Sequence, residues 1–153
     1  MAGWELRRAE LTDAAVLAAC IDAAYAGYVA RIDDLPAVSD GLEAEIENNQ
    51  VWVGERDGDI VGGIVLVVAD GYGVLANVAV APVAQGTGLG RVLIERVEAE
   101  ARRLRLATLR LSTHVEMPEN VRLYQRLGWR ETGRAGAKVM MEKDLVPSSP
   151  APD

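Results

Sequence analysis

Hydrophobic residues recur along this chain with two different periods, and the periods separate predicted strands from predicted helices. Short apolar or alternating segments predict strands at residues 4–8, 51–55, 60–69, 74–81, 108–113, 129–132 and 139–145. The second and third of these flank Arg56-Asp57-Gly58-Asp59, which favours a β-hairpin. A turn at residues 70–73 leads into the strand at 74–81.

Helical spacing predicts a first helix after a cap at Thr12 or Asp13. Its apolar face carries Leu17, Ile21, Ala24, Tyr25 and Tyr28. Further helices are expected at residues 40–48, 89–104 and 118–127, the last beginning at Pro118 and ending at Gly128.

The helix at residues 89–104 has a clear apolar face. That face holds Leu89, Val92, Leu93, Val97, Ala101 and Leu104. The opposite, polar face holds Arg91, Glu95, Arg96 and Glu98.

The resulting order, βααβββαβαββ, predicts an α/β fold with a mixed sheet and helices on its faces. The strand at 74–81 should lie beside a parallel strand that follows the helix, joined by a right-handed crossover. We expect a single domain over residues 1–146 and a disordered tail at 147–153.

Composition narrows the class of protein. Half of the 153 residues are hydrophobic and a quarter are charged, as in ordinary soluble domains. Glu5, Arg7 and Arg8 interrupt any signal peptide, and the apolar segment at 60–69 is too short to span a bilayer. One cysteine and one histidine argue against disulfides and a zinc site, so we expect a cytoplasmic protein with no metal and no membrane contact.

Charge is distributed unevenly along the chain. Of the net charge of −7, residues 1–60 carry −9 and residues 61–153 carry +2. The acidic part could face a cationic partner or could simply be solvated helix surface. The sequence contains no basic stripe with interleaved aromatic residues, so we expect no binding to nucleic acid.

The most informative segment is the turn Gln85-Gly86-Thr87-Gly88-Leu89-Gly90, which lies between a strand and a helix. Glycines at alternate positions let several backbone N–H groups converge at a helix N-terminus, where negative charge is favoured. This predicts a phosphate or pyrophosphate site. The segment lacks the Lys-Ser/Thr of a Walker loop and the spacing of a Rossmann fingerprint.

The same turn resembles the Q/R-x-x-G-x-G/A signature of the GNAT N-acetyltransferases. A second segment, Asn120-Val-Arg-Leu-Tyr124-Gln-Arg-Leu-Gly-Trp129, is similar to the LYxxLGF segment of that family. With the element order, the resemblance covers residues 4 to 145 and implies a GNAT-like, centrally splayed sheet.

The resemblance also implies a donor site for acetyl-CoA. Backbone groups of the turn would hold the coenzyme A pyrophosphate, and the strand before it would hydrogen-bond the pantetheine arm. The turn residues are Gln85, Gly86, Thr87, Gly88, Leu89, Gly90 and Arg91, and the strand residues are Val78, Ala79 and Val80.

By the same resemblance, Tyr124 protonates the departing thiolate; otherwise it packs in the core. Many family members place an asparagine seven residues before this tyrosine, where this chain has Met117. Asn120, one helical turn before Tyr124, either takes over the cofactor contact or only caps or lines the helix.

Two residues that follow the strand at 108–113, His114 and Glu116, are alternative candidates for the general base. His114 could accept the proton of an acceptor ammonium, and Glu116 could do so or bind a cationic acceptor. The resemblance implies that the first helix and the loop after it border the acceptor site, so Tyr25, Tyr28 and Arg31 are candidates for that site. Tyr25 and Tyr28 share a face of the helix, and at least one of them is otherwise expected in the core. Cys20 is expected to be a buried small hydrophobic residue, which favours direct transfer over an acyl-enzyme.

The sequence therefore predicts an N-acetyltransferase that moves an acetyl group to a primary amine of a small molecule or a protein. A non-catalytic module that binds coenzyme A is the alternative, and a nucleotide-binding domain is a third interpretation. The resemblance to the family makes a homodimer a reasonable expectation.

Overall fold

The computed structural model describes residues 4–29 and 41–145. The strands are β1 Glu5–Arg8, β2 Gln50–Arg56, β3 Asp59–Val68, β4 Tyr72–Val80, β5 Thr108–His114, β6 Arg130–Ala135 and β7 Lys138–Asp144. The helices are α1 Ala14–Val29, α2 Leu42–Asn48, α3 Leu89–Arg103 and α4 Pro118–Arg126. The predicted order of elements is confirmed, and single turns of 3₁₀ helix at Leu11–Asp13 and Pro82–Ala84 are added to it.

The first helix begins differently from the prediction. Neither Thr12 nor Asp13 is the first cap, because a 3₁₀ turn at Leu11–Asp13 with Glu10 as its N-cap precedes α1. The carboxylate of Asp13 instead accepts a hydrogen bond from the backbone N–H of Glu10 at 2.7 Å. Asp13 is therefore the N3 residue of a capping box, and its carboxylate accepts the backbone N–H of the N-cap residue.

These residues form two compact units. The first comprises residues 4–29, 41–67 and 75–97, and the second comprises residues 68–74 and 98–145. In the first unit the strands follow the order β1-β2-β3-β4, with β1, β2 and β3 antiparallel. The predicted hairpin between β2 and β3 is confirmed, with its turn at Asp57 and Gly58.

Helices cover both faces of the first unit's strands. Successive residues of β3 point to opposite faces. A Cβ on Gly62 would lie 2.9 Å from Leu89 of α3, and one on Gly63 would lie 2.6 Å from Leu17 of α1. The two glycines thus let both helices approach the sheet closely.

In the second unit the strand order is β4-β5-β7-β6. The beginning of β4 pairs with β5 in parallel, through Tyr72, Gly73 and Val74 opposite Thr108, Leu109 and Arg110. The predicted parallel neighbour is confirmed. The predicted turn at 70–73 is too long, because the ladder with β5 takes Tyr72 and Gly73 into the strand.

The buried side of α3 is broader than its sequence pattern suggests. Leu89, Leu93, Val97 and Ala101 are buried as predicted, and Ile94 is fully buried as well. The prediction was wrong for Glu98, which is only 5% exposed. Glu98 lies one turn after Ile94, so it shares the enlarged buried arc, where it pairs with Lys143 on β7 at 3.0 Å.

No helix in residues 4–29 or 41–145 is long and apolar enough to cross a membrane.

Candidate active site

The glycine turn has the backbone conformation that its sequence predicts. Gly86 and Gly88 have φ angles of 80° and 90°, in the left-handed region that side chains disfavour. Nothing lies within 4 Å of a Cβ placed on either residue, so the space above both is open. Gly90 differs, because its φ is not in this region and its Cβ position is 3.5 Å from Val80.

Helix α3 begins immediately after this turn, at Leu89. The first N–H groups of a helix have no acceptor inside the helix, so those of Leu89, Gly90 and Arg91 point outward at its positive end. The Arg91 side chain is exposed and pairs with Glu95 at 3.0 Å. Open space, left-handed glycines and outward N–H groups together suit a phosphate group.

Two side chains of the turn hold the turn itself. The Gln85 amide donates to the carbonyl of Val80 at 3.2 Å, and the Thr87 hydroxyl donates to the carbonyl of Ala84 at 2.5 Å. Both were predicted as cofactor-binding residues. The side-chain contacts of Gln85 and Thr87 fix the turn to the end of β4. The groups of these two residues that can bind a ligand are therefore their backbone groups.

Every second residue of β4 points its backbone N–H and C=O groups away from β3. The N–H of Ala81 reaches the carbonyl of Val61 on β3 at 2.8 Å. Since the N–H and C=O of one residue point the same way and alternate along a strand, the groups of Val80 and Val78 point to the other edge. Ala79 is buried, with its carbonyl beside Gly62.

Tyr25 on α1 contacts this edge of β4. Its hydroxyl donates to the carbonyl oxygen of Val78 at 3.1 Å. Burial raises the pKa of the Tyr25 phenol above its ordinary value, so the hydroxyl keeps its proton. The side chain of Tyr28 and all of Arg31, the other predicted acceptor-site residues, lie outside the described part of the chain.

Tyr124 is buried in the second unit, 7% exposed, on the last turns of α4. Its ring packs edge-to-face against Trp129, with the centroids 5.6 Å apart. The backbone N–H of Trp129 donates to the carbonyl of Tyr124 at 2.9 Å. Tyr124 and Trp129, which belong to the same sequence motif, are thus in direct contact in the structure.

The two candidate bases contact each other at the end of β5. The Nδ1 atom of His114 accepts a hydrogen bond from the backbone N–H of Glu116 at 3.1 Å. A neutral imidazole that accepts at Nδ1 carries its proton on Nε2. The Glu116 residue is exposed.

Asn120 joins the start of α4 to the end of β5. Its amide nitrogen lies 3.4 Å from both the Thr113 hydroxyl and the Met117 sulfur. Met117, the N-cap of α4, is 3% exposed. These contacts fit the lining role that the sequence left open for Asn120, and its cofactor contact stays a prediction.

A cleft of about 520 Å³ lies between α1 and the β2–β3 hairpin of the first unit. Three carboxylate residues line it, Asp13, Glu55 and Asp59, and Cys20 lines it too. Sequence reasoning missed this cleft, because nothing local links residue 13 to residue 55.

Arg7 balances part of the charge of this cleft. Its guanidinium donates to both carboxylate oxygens of Asp13, at 2.8 and 3.0 Å, and to Glu55 at 3.0 Å. The hydrogen bond from Arg7 lowers the pKa of Asp13 below its ordinary value. Cys20 is buried as predicted, and its burial raises the pKa of the thiol.

In residues 4–29 and 41–145, no group of three or more His, Cys, Asp and Glu side chains is arranged to hold a metal ion.

Known proteins are similar to this chain in sequence and in architecture. Residues 22–129 match the model of the Acetyltransferase (GNAT) family. IAA acetyltransferase of Azospirillum brasilense is 36% identical over 101 residues, which span 61% of this chain and 66% of that relative's length.

Solved structures match over nearly the whole length. The PaiA N-acetyltransferase from Thermoplasma acidophilum, in complex with coenzyme A, superposes with a TM-score of 0.81 at 18% identity, covering 92% of this chain and 98% of that one. The ribosomal-protein-S18-alanine N-acetyltransferase from Escherichia coli gives 0.79 at 20% identity, with coverages of 96% and 97%. A mostly antiparallel sheet flanked by helices is common to all three. Since the family model matches well over half of its residues, this chain belongs to the GNAT family of acetyltransferases.

Proposed function

We propose that the protein is an acetyl-CoA-dependent N-acetyltransferase that transfers its acetyl group directly to a primary amine. The observation that carries this proposal is the turn before α3, in which Gly86 and Gly88 adopt left-handed conformations beneath open space. Membership of the acetyltransferase family supports acetyl transfer in general.

The residues that we propose to bind the donor belong to the first unit. The N–H groups at the start of α3 bind the pyrophosphate of coenzyme A, because negative charge is favoured there. The backbone groups of Val78 and Val80, on the edge of β4 away from β3, bind the pantetheine arm. A backbone N–H near Val80 polarises the thioester carbonyl.

Proton transfer completes the reaction. The acceptor ammonium first gives a proton to a base, and the neutral amine attacks the acetyl carbon. The new C–N bond forms a tetrahedral intermediate, and its nitrogen loses a second proton to solvent. The intermediate collapses as the C–S bond breaks. Tyr124 gives its phenol proton to the departing thiolate and later regains one from solvent. The candidate bases are Glu116 and His114, and the Nδ1 atom of His114 accepts the backbone N–H of Glu116.

The acceptor we propose is cationic, either a small molecule or an amine of a protein. The balance of −9 over residues 1–60 supports this choice. The cleft of the first unit supports it as well, because Arg7 balances only part of the charge of its three carboxylates. IAA also belongs in any acceptor panel, because a 36% identical relative carries that name.

The test is release of coenzyme A thiol from acetyl-CoA in the presence of a panel of amines and IAA. We expect acceptor-dependent release with at least one cationic amine, and a fall of about 10²–10⁴-fold in kcat for Tyr124→Phe. Tyr72→Phe is the matched control, because it also removes one phenol hydroxyl from the second unit. Release with IAA and with no amine would contradict the proposed acceptor class.

A non-catalytic module that binds coenzyme A remains a second candidate, because one observation favours it. Tyr124 is 7% exposed and packs against Trp129, as a purely structural tyrosine would. This candidate predicts tight binding of acetyl-CoA with no acceptor-dependent thiol release. It also predicts the same behaviour for Tyr124→Phe and Tyr72→Phe.

A further inference from the structure

A largely buried ion pair lies in the second unit, and neither of its residues has been assigned to the reaction so far. Glu98 on α3 is 5% exposed, and one carboxylate oxygen lies 3.0 Å from the ammonium of Lys143 on β7. The other carboxylate oxygen is buried and has no hydrogen-bond partner among the described residues. The side chain of Lys143 is 19% exposed.

Stability alone does not account for this pair. Removing two charges from water is costly, and replacing a buried ion pair by apolar residues of similar volume is often neutral or stabilising. One orphaned carboxylate oxygen adds to the cost. We therefore ask which part of the structure this ion pair holds in place.

What the pair fixes is the end of α4. The Lys143 ammonium donates a second hydrogen bond, at 2.7 Å, to the carbonyl of Leu127, the C-cap residue of that helix. Gly128 follows with a φ of 96°, and its Cβ position would lie 3.5 Å from Cε of Lys143. A cation at a helix C-terminus is also favoured by the helix dipole.

The same turn contains the immediate partners of Tyr124. The N–H groups of Leu127 and Trp129 both donate to the Tyr124 carbonyl, at 3.0 and 2.9 Å. The Trp129 ring packs against the Tyr124 ring. Displacement of the Leu127 carbonyl would therefore move both the backbone and the ring neighbour of Tyr124.

We propose that Glu98 and Lys143 are positioning residues: Glu98 holds the Lys143 ammonium, which clamps the Leu127 carbonyl and so fixes the orientation of the Tyr124 phenol. This inference rests on the proposed role of Tyr124 as the acid. Neither residue touches the reacting groups in this scheme.

The test uses the double variant Glu98→Leu/Lys143→Met, because Lys143→Met alone leaves a buried carboxylate unpaired and could prevent folding. We expect the double variant to fold, to keep its KM for acetyl-CoA, and to lose about 10- to 100-fold in kcat. Arg102→Met is the control. It removes the exposed arginine that lies 4.0 Å from Glu98, leaves the Leu127 carbonyl untouched, and should keep the wild-type kcat.

A Tyr124→Phe background separates positioning from general support of the fold. If the pair acts through the phenol, the double substitution should lower kcat no further once the phenol is gone. An equal loss in both backgrounds would overturn the inference while leaving the role of Tyr124 intact.

Amide hydrogen exchange gives a readout that does not depend on turnover. The Leu127 and Trp129 amides should exchange at least tenfold faster in the double variant than in wild type or Arg102→Met. Unchanged exchange would refute the clamp. If wild type releases no thiol with any acceptor, the proposed function fails, and the exchange result still decides whether the pair holds the helix end.

Discussion

The hydroxyl of Tyr25 on α1 donates a hydrogen bond to the carbonyl of Val78 on β4, across 53 residues of sequence. The donor is mostly buried, and its raised pKa keeps the proton in place over the physiological pH range. Val78 is one of the two residues whose backbone groups face the edge of β4 assigned to pantetheine. Tyr25 therefore connects the first helix to the proposed donor site.

We expect Tyr25→Phe to lower the free energy of unfolding by about 1 kcal/mol, because one hydrogen bond to a backbone carbonyl is lost. If the bond also aligns β4, the Kd for acetyl-CoA rises. Calorimetric titration and chemical denaturation measure the two effects. A Kd equal to that of wild type would restrict Tyr25 to the core.

The glycines of the turn before α3 should not be equivalent. Gly88→Ala places a side chain at a φ of 90°, which costs on the order of 1–3 kcal/mol, so we expect acetyl-CoA affinity to fall at least tenfold. Gly90→Ala is the matched control, since its Cβ would meet Val80 at an ordinary 3.5 Å. Equal losses for both would mean that the left-handed backbone is not the important feature.

The pair of Arg7 and Asp13 should make stability depend on acidity. Because the folded-state pKa of Asp13 lies below its unfolded value of about 3.9, the folded state binds fewer protons. The contribution of this pair to stability is present above the unfolded pKa, and is lost as the pH falls toward and through the folded pKa. Asp13→Asn should flatten this acid-side decrease.

Urea denaturation between about pH 2 and pH 7 measures this dependence. Asp22→Asn, at an exposed position on α1, serves as the control. An identical acid-side slope in Asp13→Asn and wild type would contradict the proposed linkage.

Cys20 should react slowly with thiol reagents in the folded protein. The residue is 7% exposed and burial raises its pKa, so little thiolate is available at neutral pH. Val16, one helical turn earlier, is 54% exposed. We expect the variant Cys20→Ala/Val16→Cys to react at least tenfold faster than wild type, and both to react alike in denaturant.

Equal rates for the folded proteins would show that the cleft opens readily to solvent at Cys20. A spectrophotometric assay with a chromogenic disulfide is sufficient.

The sequence predicted the features that depend on neighbours along the chain. Element order, the β2–β3 hairpin and the glycine turn all follow from local spacing and backbone preference. The apolar face of α3 was predicted correctly at Leu89, Leu93 and Val97 for the same reason.

What the sequence did not predict depends on contacts between distant residues. Glu98 looked like a surface residue because its partner, Lys143, follows 45 positions later. The glycines of β3 gave no sign that Gly62 and Gly63 each make room for a helix. In the proposed site, the engagement of His114 by the Glu116 amide also depends on the geometry at the end of β5.

The chain contains two lysines, Lys138 and Lys143, both on β7. Because the amine of Lys143 is committed to Glu98 and to a helix carbonyl, only Lys138 presents an exposed lysine amine. A reagent that acylates lysines should therefore modify one side chain. Coupling through that residue would give a population of molecules attached to a surface in a single orientation.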